Sequence, residues 1–146
     1  MGSLQNLIEL ILEKPEMIKS KNTIRHLLAL PIKYEEDINS LRLMLRSNNL
    51  ELMKTSLFML SEMGSNYDLV LDDVVDYLYL KDSNAVVDAM QIVTLGSTGE
   101  KSFEFYRILK LLDDSRIYAR VNAMHFLSNK ATKGLEDTYQ YLLENR

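Results

Sequence analysis

Residues 83–95, SNAVVDAMQIVTL, decide how the rest of the chain is read. Placed on a helix, Ala85, Val86, Val87, Ala89, Met90, Ile92, Val93 and Leu95 leave almost no polar side. From Ala85 onward only Asp88, Gln91 and Thr94 interrupt them. A surface helix carries one apolar stripe; a helix apolar nearly all round is buried between neighbours. The expectation is a central helix covered on both sides, with Val86, Met90, Ile92 and Val93 in the core.

Working outward, helical spacing recurs between short turns. Apolar residues predict helices over about residues 4–12, 22–30, 35–46, 52–63, 67–80, 101–112, 115–128 and 135–144. Ser3 suits an N-cap, Pro15 and Pro31 stop the helices before them, and Ser47-Asn48-Asn49 is turn chemistry. Gly64 suits a left-handed C-cap. A shift of 32 residues carries Ser83 onto Ser115, Asp88 onto Arg120 and Leu95 onto Leu127. The same shift carries Leu71 to Phe103 to Leu135, and Tyr77 to Leu109 to Tyr141. A period in the thirties built from two helices is the signature of a stacked solenoid, because one helix pair cannot bury its own apolar face.

Two matched segments carry a family resemblance. Asp82-Ser83 followed by Val87-Asp88, and Asp114-Ser115 followed by Ala119-Arg120, each set an acidic turn before a helix with an apolar–charged couplet inside it. In this the chain resembles the HEAT repeat family over about residues 47–146, although it lacks the proline often found in the first helix and is poor in alanine. The resemblance implies an all-α, right-handed stack of antiparallel helix pairs, a HEAT-like α-solenoid of about eight helices. It would form one domain, 1–146, in which 1–46 cap the regular pairs of 47–146. It also implies a concave surface lined by the second helix of each pair, here 67–80, 101–112 and 135–144.

Composition narrows the chemistry. The 146 residues contain no Cys, which excludes disulfides, cysteine metal sites and thiol catalysis. His26 and His125 have no second ligand one helical turn away, and no glycine-rich loop follows a strand. These features predict a protein without catalytic activity, metal or cofactor. No apolar run approaches the roughly 20 residues of a membrane span, and the start lacks a signal-peptide pattern, so the expectation is a cytoplasmic protein. The initiator Met and the polar end Glu144-Asn145-Arg146 suggest a complete small protein rather than a fragment of a larger scaffold.

Charge is uneven along the chain, whose net charge is -4. Asp68, Asp72 and Asp76 recur every four residues with Asp73 beside them, while residues 101–133 are rich in Lys and Arg. On an α-helix the three aspartates share one face, where like charges repel by about 0.2–0.5 kcal/mol per pair. The face is read as solvated or paired with Arg107 and Lys110, as a docking surface for a basic partner, or as a weak divalent-metal site. On the docking reading the partner-binding residues are Asp68, Asp72, Asp73, Asp76, Tyr79, Glu104, Arg107, Lys110, Asp137 and Gln140. Such a chain looks like a small inhibitor or adaptor, for which bacterial toxin-immunity proteins are the analogy. The alternative from another class is a DNA-binding protein or DNA glycosylase-type enzyme on a HEAT-like scaffold. The absence of Trp and the net acidity disfavour nucleic acid as partner. The sequence leaves the oligomeric state open.

Overall fold

A computed structural model describes residues 3–63, 67, 70–96, 106–128 and 144, and among them every regular element is helical. The chain divides into two compact units, Met1–Asp73 and Val74–Arg146.

In the first unit, α1 (Leu4–Glu13) starts where Ser3 Oγ accepts the amide of Asn6, and it buries Leu4, Ile8 and Ile11 along one face. It stops at Pro15, which opens a 3-10 segment, Pro15–Lys19. α2 (Lys21–Ala29) ends as Leu30 turns extended ahead of Pro31, the conformation proline imposes on the residue before it. α3 (Tyr34–Leu45) and α4 (Leu50–Ser61) are joined by a tight turn. Asn48 sits there at φ 62, a left-handed conformation that asparagine tolerates better than most residues. Asn49 then caps α4, its side chain accepting from the amides of Glu51 and Leu52. α1 packs on α3 and α3 on α4. The core between them holds Ile38, Leu41, Met44, Leu45, Leu52, Leu57 and Leu60. Ser56 is fully buried on α4, and its hydroxyl donates to Leu41 O at 2.7 Å, so the polar group is satisfied inside the interface.

α5 (Leu71–Val74) spans the boundary between the units. The second unit continues with a 3-10 segment, Val75–Tyr79, then α6 (Ser83–Gly96), α7 (Tyr106–Lys110), a 3-10 turn Leu111–Asp113, and α8 (Ile117–Ser128). α6 is the expected central helix. It packs against the 3-10 segment before it and against α7 and α8 after it. Ala85, Val86, Ala89, Met90, Ile92 and Val93 are all buried. Val87 is half-buried, and Leu95 is 46% exposed at the helix end. Fully burying an aliphatic side chain is worth about 1.5–3 kcal/mol, so this helix supplies much of the unit's cohesion.

Two long helices of the sequence reading are interrupted. The described part of 67–80 becomes α5 and a 3-10 segment, and the described part of 101–112 becomes α7 and a 3-10 turn. Of the expected final helix, 135–144, only residue 144 is described, and the Gly64 cap lies outside the described residues. Among the described residues no helix is long and apolar enough to cross a membrane.

Candidate functional site

The 3-10 geometry after Val74 rearranges the acidic stretch. An α-helix aligns residues four apart; a 3-10 helix has about three residues per turn and eclipses residues three apart. Val75 and Leu78 therefore share the buried side, and Asp76 and Tyr79 share the opposite, exposed side, with Tyr79 52% exposed. The expected row at four-residue spacing is not continued through this segment.

The aspartates differ in what they meet. Asp73 is drawn into the first unit: its Oδ2 accepts from Arg42 Nε at 2.8 Å and its Oδ1 from Arg46 Nη2 at 2.6 Å. Arg46 Nε adds a longer bond to Oδ1 at 3.1 Å. Each carboxylate oxygen is thus engaged by one arginine at the end of α3, in charge-assisted hydrogen bonds. Asp72 is exposed. Asp76 is exposed and makes no hydrogen bond or ion pair among the described residues. Arg107 and Lys110 flank the ring of Tyr106, with Lys110 Nζ 4.7 Å and the Arg107 guanidinium carbon 5.6 Å from its centroid. Asp68, Glu104, Asp137 and Gln140 lie outside the described residues. Tyr67 is a core residue whose hydroxyl donates to Ser61 O at 3.1 Å.

A polar cluster that sequence reading passed over sits at the start of α8. Arg116, counted there only as one base among several, donates from Nε to Asp114 Oδ1 at 2.7 Å and from Nη2 to Asp114 Oδ2 at 3.0 Å. The same guanidinium reaches Leu80 O at 2.5 Å through Nη1 and Leu78 O at 2.8 Å through Nη2. Tyr118 Oη donates to the neighbouring carbonyls of Leu80 and Lys81. The hydrogen bond from the Arg116 side chain, followed by that from its backbone amide, holds the Asp114 carboxyl below the usual carboxylate range. The reciprocal bond raises the Arg116 pKa. The cluster ties the chain leaving the 3-10 segment to the start of α8. The sequence signal was an Asp two residues before an Arg at a helix start, where the aspartate can accept the amide two residues on.

Two cavities lined by described residues lie in the first unit. One of about 330 Å³ is bounded by Leu27, Leu28, Leu30, Ile32, Phe58, Met59 and Glu62. It is mainly apolar, with Glu62 its one charged lining residue, and lacks the convergent polar groups of a typical ligand site. The other, about 220 Å³, includes Asp37, whose buried carboxylate accepts the backbone amide of Lys33 at 2.7 Å and so serves as a helix-start cap. Among the described residues no group of three or more His, Asp or Glu is arranged to hold a metal ion. His26 and His125 are both exposed, and His125 lies edge-on to Phe126.

Comparison with family models, curated proteins and solved structures gives no match.

Proposed function

We propose that the chain is a non-catalytic protein-binding module of HEAT-like helical repeats that docks a basic protein partner. The observation that supports this best is the exposed edge of the Val75–Tyr79 segment. Asp76 offers a carboxylate committed to nothing among the described residues, and Tyr79 stands beside it. Tyrosine supplies apolar contact area and a polar tip at low entropic cost, and an uncommitted carboxylate next to it adds charge selectivity. The net charge of -4 favours encounter with a basic surface over nucleic acid. Within this class the reading is a small inhibitor acting in the manner of toxin-immunity proteins.

The test is co-purification of the full chain with basic proteins encoded beside it, at low and high salt. A complex that weakens with salt, and that weakens at least tenfold in an Asp76→Asn, Tyr79→Ala double variant with unchanged melting, supports the reading. A complex indifferent to both changes refutes this edge as the docking surface.

A further inference from the structure

We propose that Arg116 and Tyr118, at the start of α8, are positioning residues that preset the edge carrying Asp76 and Tyr79. The inference rests on the reading of that edge as the docking surface, and it adds what holds the edge in shape. Neither the Asp76 nor the Tyr79 side chain makes a hydrogen bond or ion pair among the described residues, so nothing on the outer side fixes the Val75–Tyr79 segment. On the inner side Val75 and Leu78 are buried, and the segment packs on α6. What remains is its end.

A 3-10 run of five residues is long for its kind. Its last carbonyls, like those of any helix end, need partners from outside the segment. Arg116 supplies them, with Nη2 donating to Leu78 O at 2.8 Å and Nη1 to Leu80 O at 2.5 Å. Those carbonyls lie on either side of Tyr79 in the chain, so a single guanidinium brackets the tyrosine. Tyr118 adds its hydroxyl between Leu80 O and Lys81 O, at 3.1 and 3.0 Å. Asp114 grips the guanidinium from behind, at 2.7 Å from Nε and 3.0 Å from Nη2. Just beyond Lys81 the chain is fixed again, where Asp82 Oδ1 accepts the amide of Ala85 at 3.0 Å.

This brace selects the 3-10 form. The segment follows α5 without a break, and an α-helix is its ordinary alternative. Relaxing five residues from about 2.0 to about 1.5 Å of rise each would shorten the segment by about 2.5 Å. That would draw the carbonyls of Leu78 and Leu80 off the guanidinium. It would also change the edge. In the 3-10 form residues three apart are eclipsed, so Asp76 and Tyr79 stand one above the other; in an α-helix they are offset by about 60° around the axis. A partner that meets a preset pair loses no binding energy to ordering it. Arg116 and Tyr118 thus act on binding through the backbone, without touching the partner.

The test begins with the full chain alone, comparing wild type with Arg116→Ala and Tyr118→Phe. NMR distances between Cα protons and amides separate the two forms, because each brings different neighbours together. The expected result is a 3-10 pattern over residues 75–79 in wild type that is lost in Arg116→Ala while α6 keeps its own pattern. Tyr118→Phe removes one hydroxyl and keeps the test decisive if Arg116→Ala does not fold. It should speed amide exchange at residues 78–81 at least about threefold with melting unchanged. A 3-10 pattern that survives Arg116→Ala, or exchange in Tyr118→Phe that is unchanged or rises equally along α6, would overturn the proposal. In the salt-sensitive complex with a basic protein, Tyr118→Phe should also lower affinity at least about threefold. Unchanged affinity with a loosened segment would overturn the positioning role and leave docking at the edge intact. If no basic protein binds, the docking reading fails alone, and the NMR pattern still decides whether the brace exists.

Discussion

Asp114 and Arg116 grip one another through two hydrogen bonds, at 2.7 and 3.0 Å, two residues apart in sequence. The grip aims the guanidinium at the carbonyls of Leu78 and Leu80, which end the 3-10 segment and lie 38 and 36 residues away in sequence. A local pair thus orients a long-range contact that fastens two elements packed around α6.

Replacing Arg116 by Ala should cost about 1–3 kcal/mol, since it strips charge-assisted bonds from Asp114 and from two carbonyls at once. Arg116→Lys should recover only part, because an ammonium cannot serve a carboxylate and two carbonyls in the fixed fork of a guanidinium. Urea unfolding of the two variants checks this. A shift under about 0.5 kcal/mol for Arg116→Ala would show that the contact is idle.

The same pair predicts a pH response. The hydrogen bond from Arg116 lowers the folded-state pKa of Asp114 below its unfolded value. Such a group binds its proton less readily when folded. Its contribution is complete above the unfolded pKa, about 3.9, and fades as pH falls through the lower folded value. The wild-type chain should therefore lose stability more steeply than Asp114→Asn as pH is taken from about 5 toward 3. Arg116 stays charged throughout this window, as any guanidinium does at acid pH. Parallel melting curves for the two proteins would disprove the assignment.

α6 was legible in sequence because eight apolar residues within it leave almost no polar face, and the prolines, the Ser3 cap and the Ser47-Asn48-Asn49 turn mark ends that local chemistry alone dictates. The break of residues 67–80 was harder to see. Val75 and Leu78, with Asp76 and Tyr79, repeat at three-residue spacing, yet three and four residues apart fit an α-helix equally well. The fate of Asp73 was invisible for another reason. Its partners Arg42 and Arg46 lie 31 and 27 residues earlier, and no spacing rule spans that distance.

Ile92 tests the central role of α6. Its side chain is fully buried, so Ile92→Ala should cost about 2–5 kcal/mol. Leu95→Ala, three residues on and half-exposed, should cost well under half as much. Equal losses at the two positions would mean that the helix is not packed as described.

Asp73 and Asp76, three residues apart, should behave oppositely. Asp73→Asn weakens two arginine contacts, and with Arg42 and Arg46 partly exposed the loss should be about 1–2 kcal/mol after solvent screening. Asp76→Asn breaks nothing among the described residues and should change stability by less than about 0.5 kcal/mol. Binding should show the reverse order. Removing an exposed charge slows electrostatically steered association, whereas Asp73 already spends both oxygens inside its own unit and has little left for a partner. Thermal melts and association rates measured on both single variants decide the matter. If Asp73→Asn proves the more damaging to association while melting stays unchanged, the ion pairs with Arg42 and Arg46 must open on binding, and the docking surface centres on Asp73 instead of Asp76.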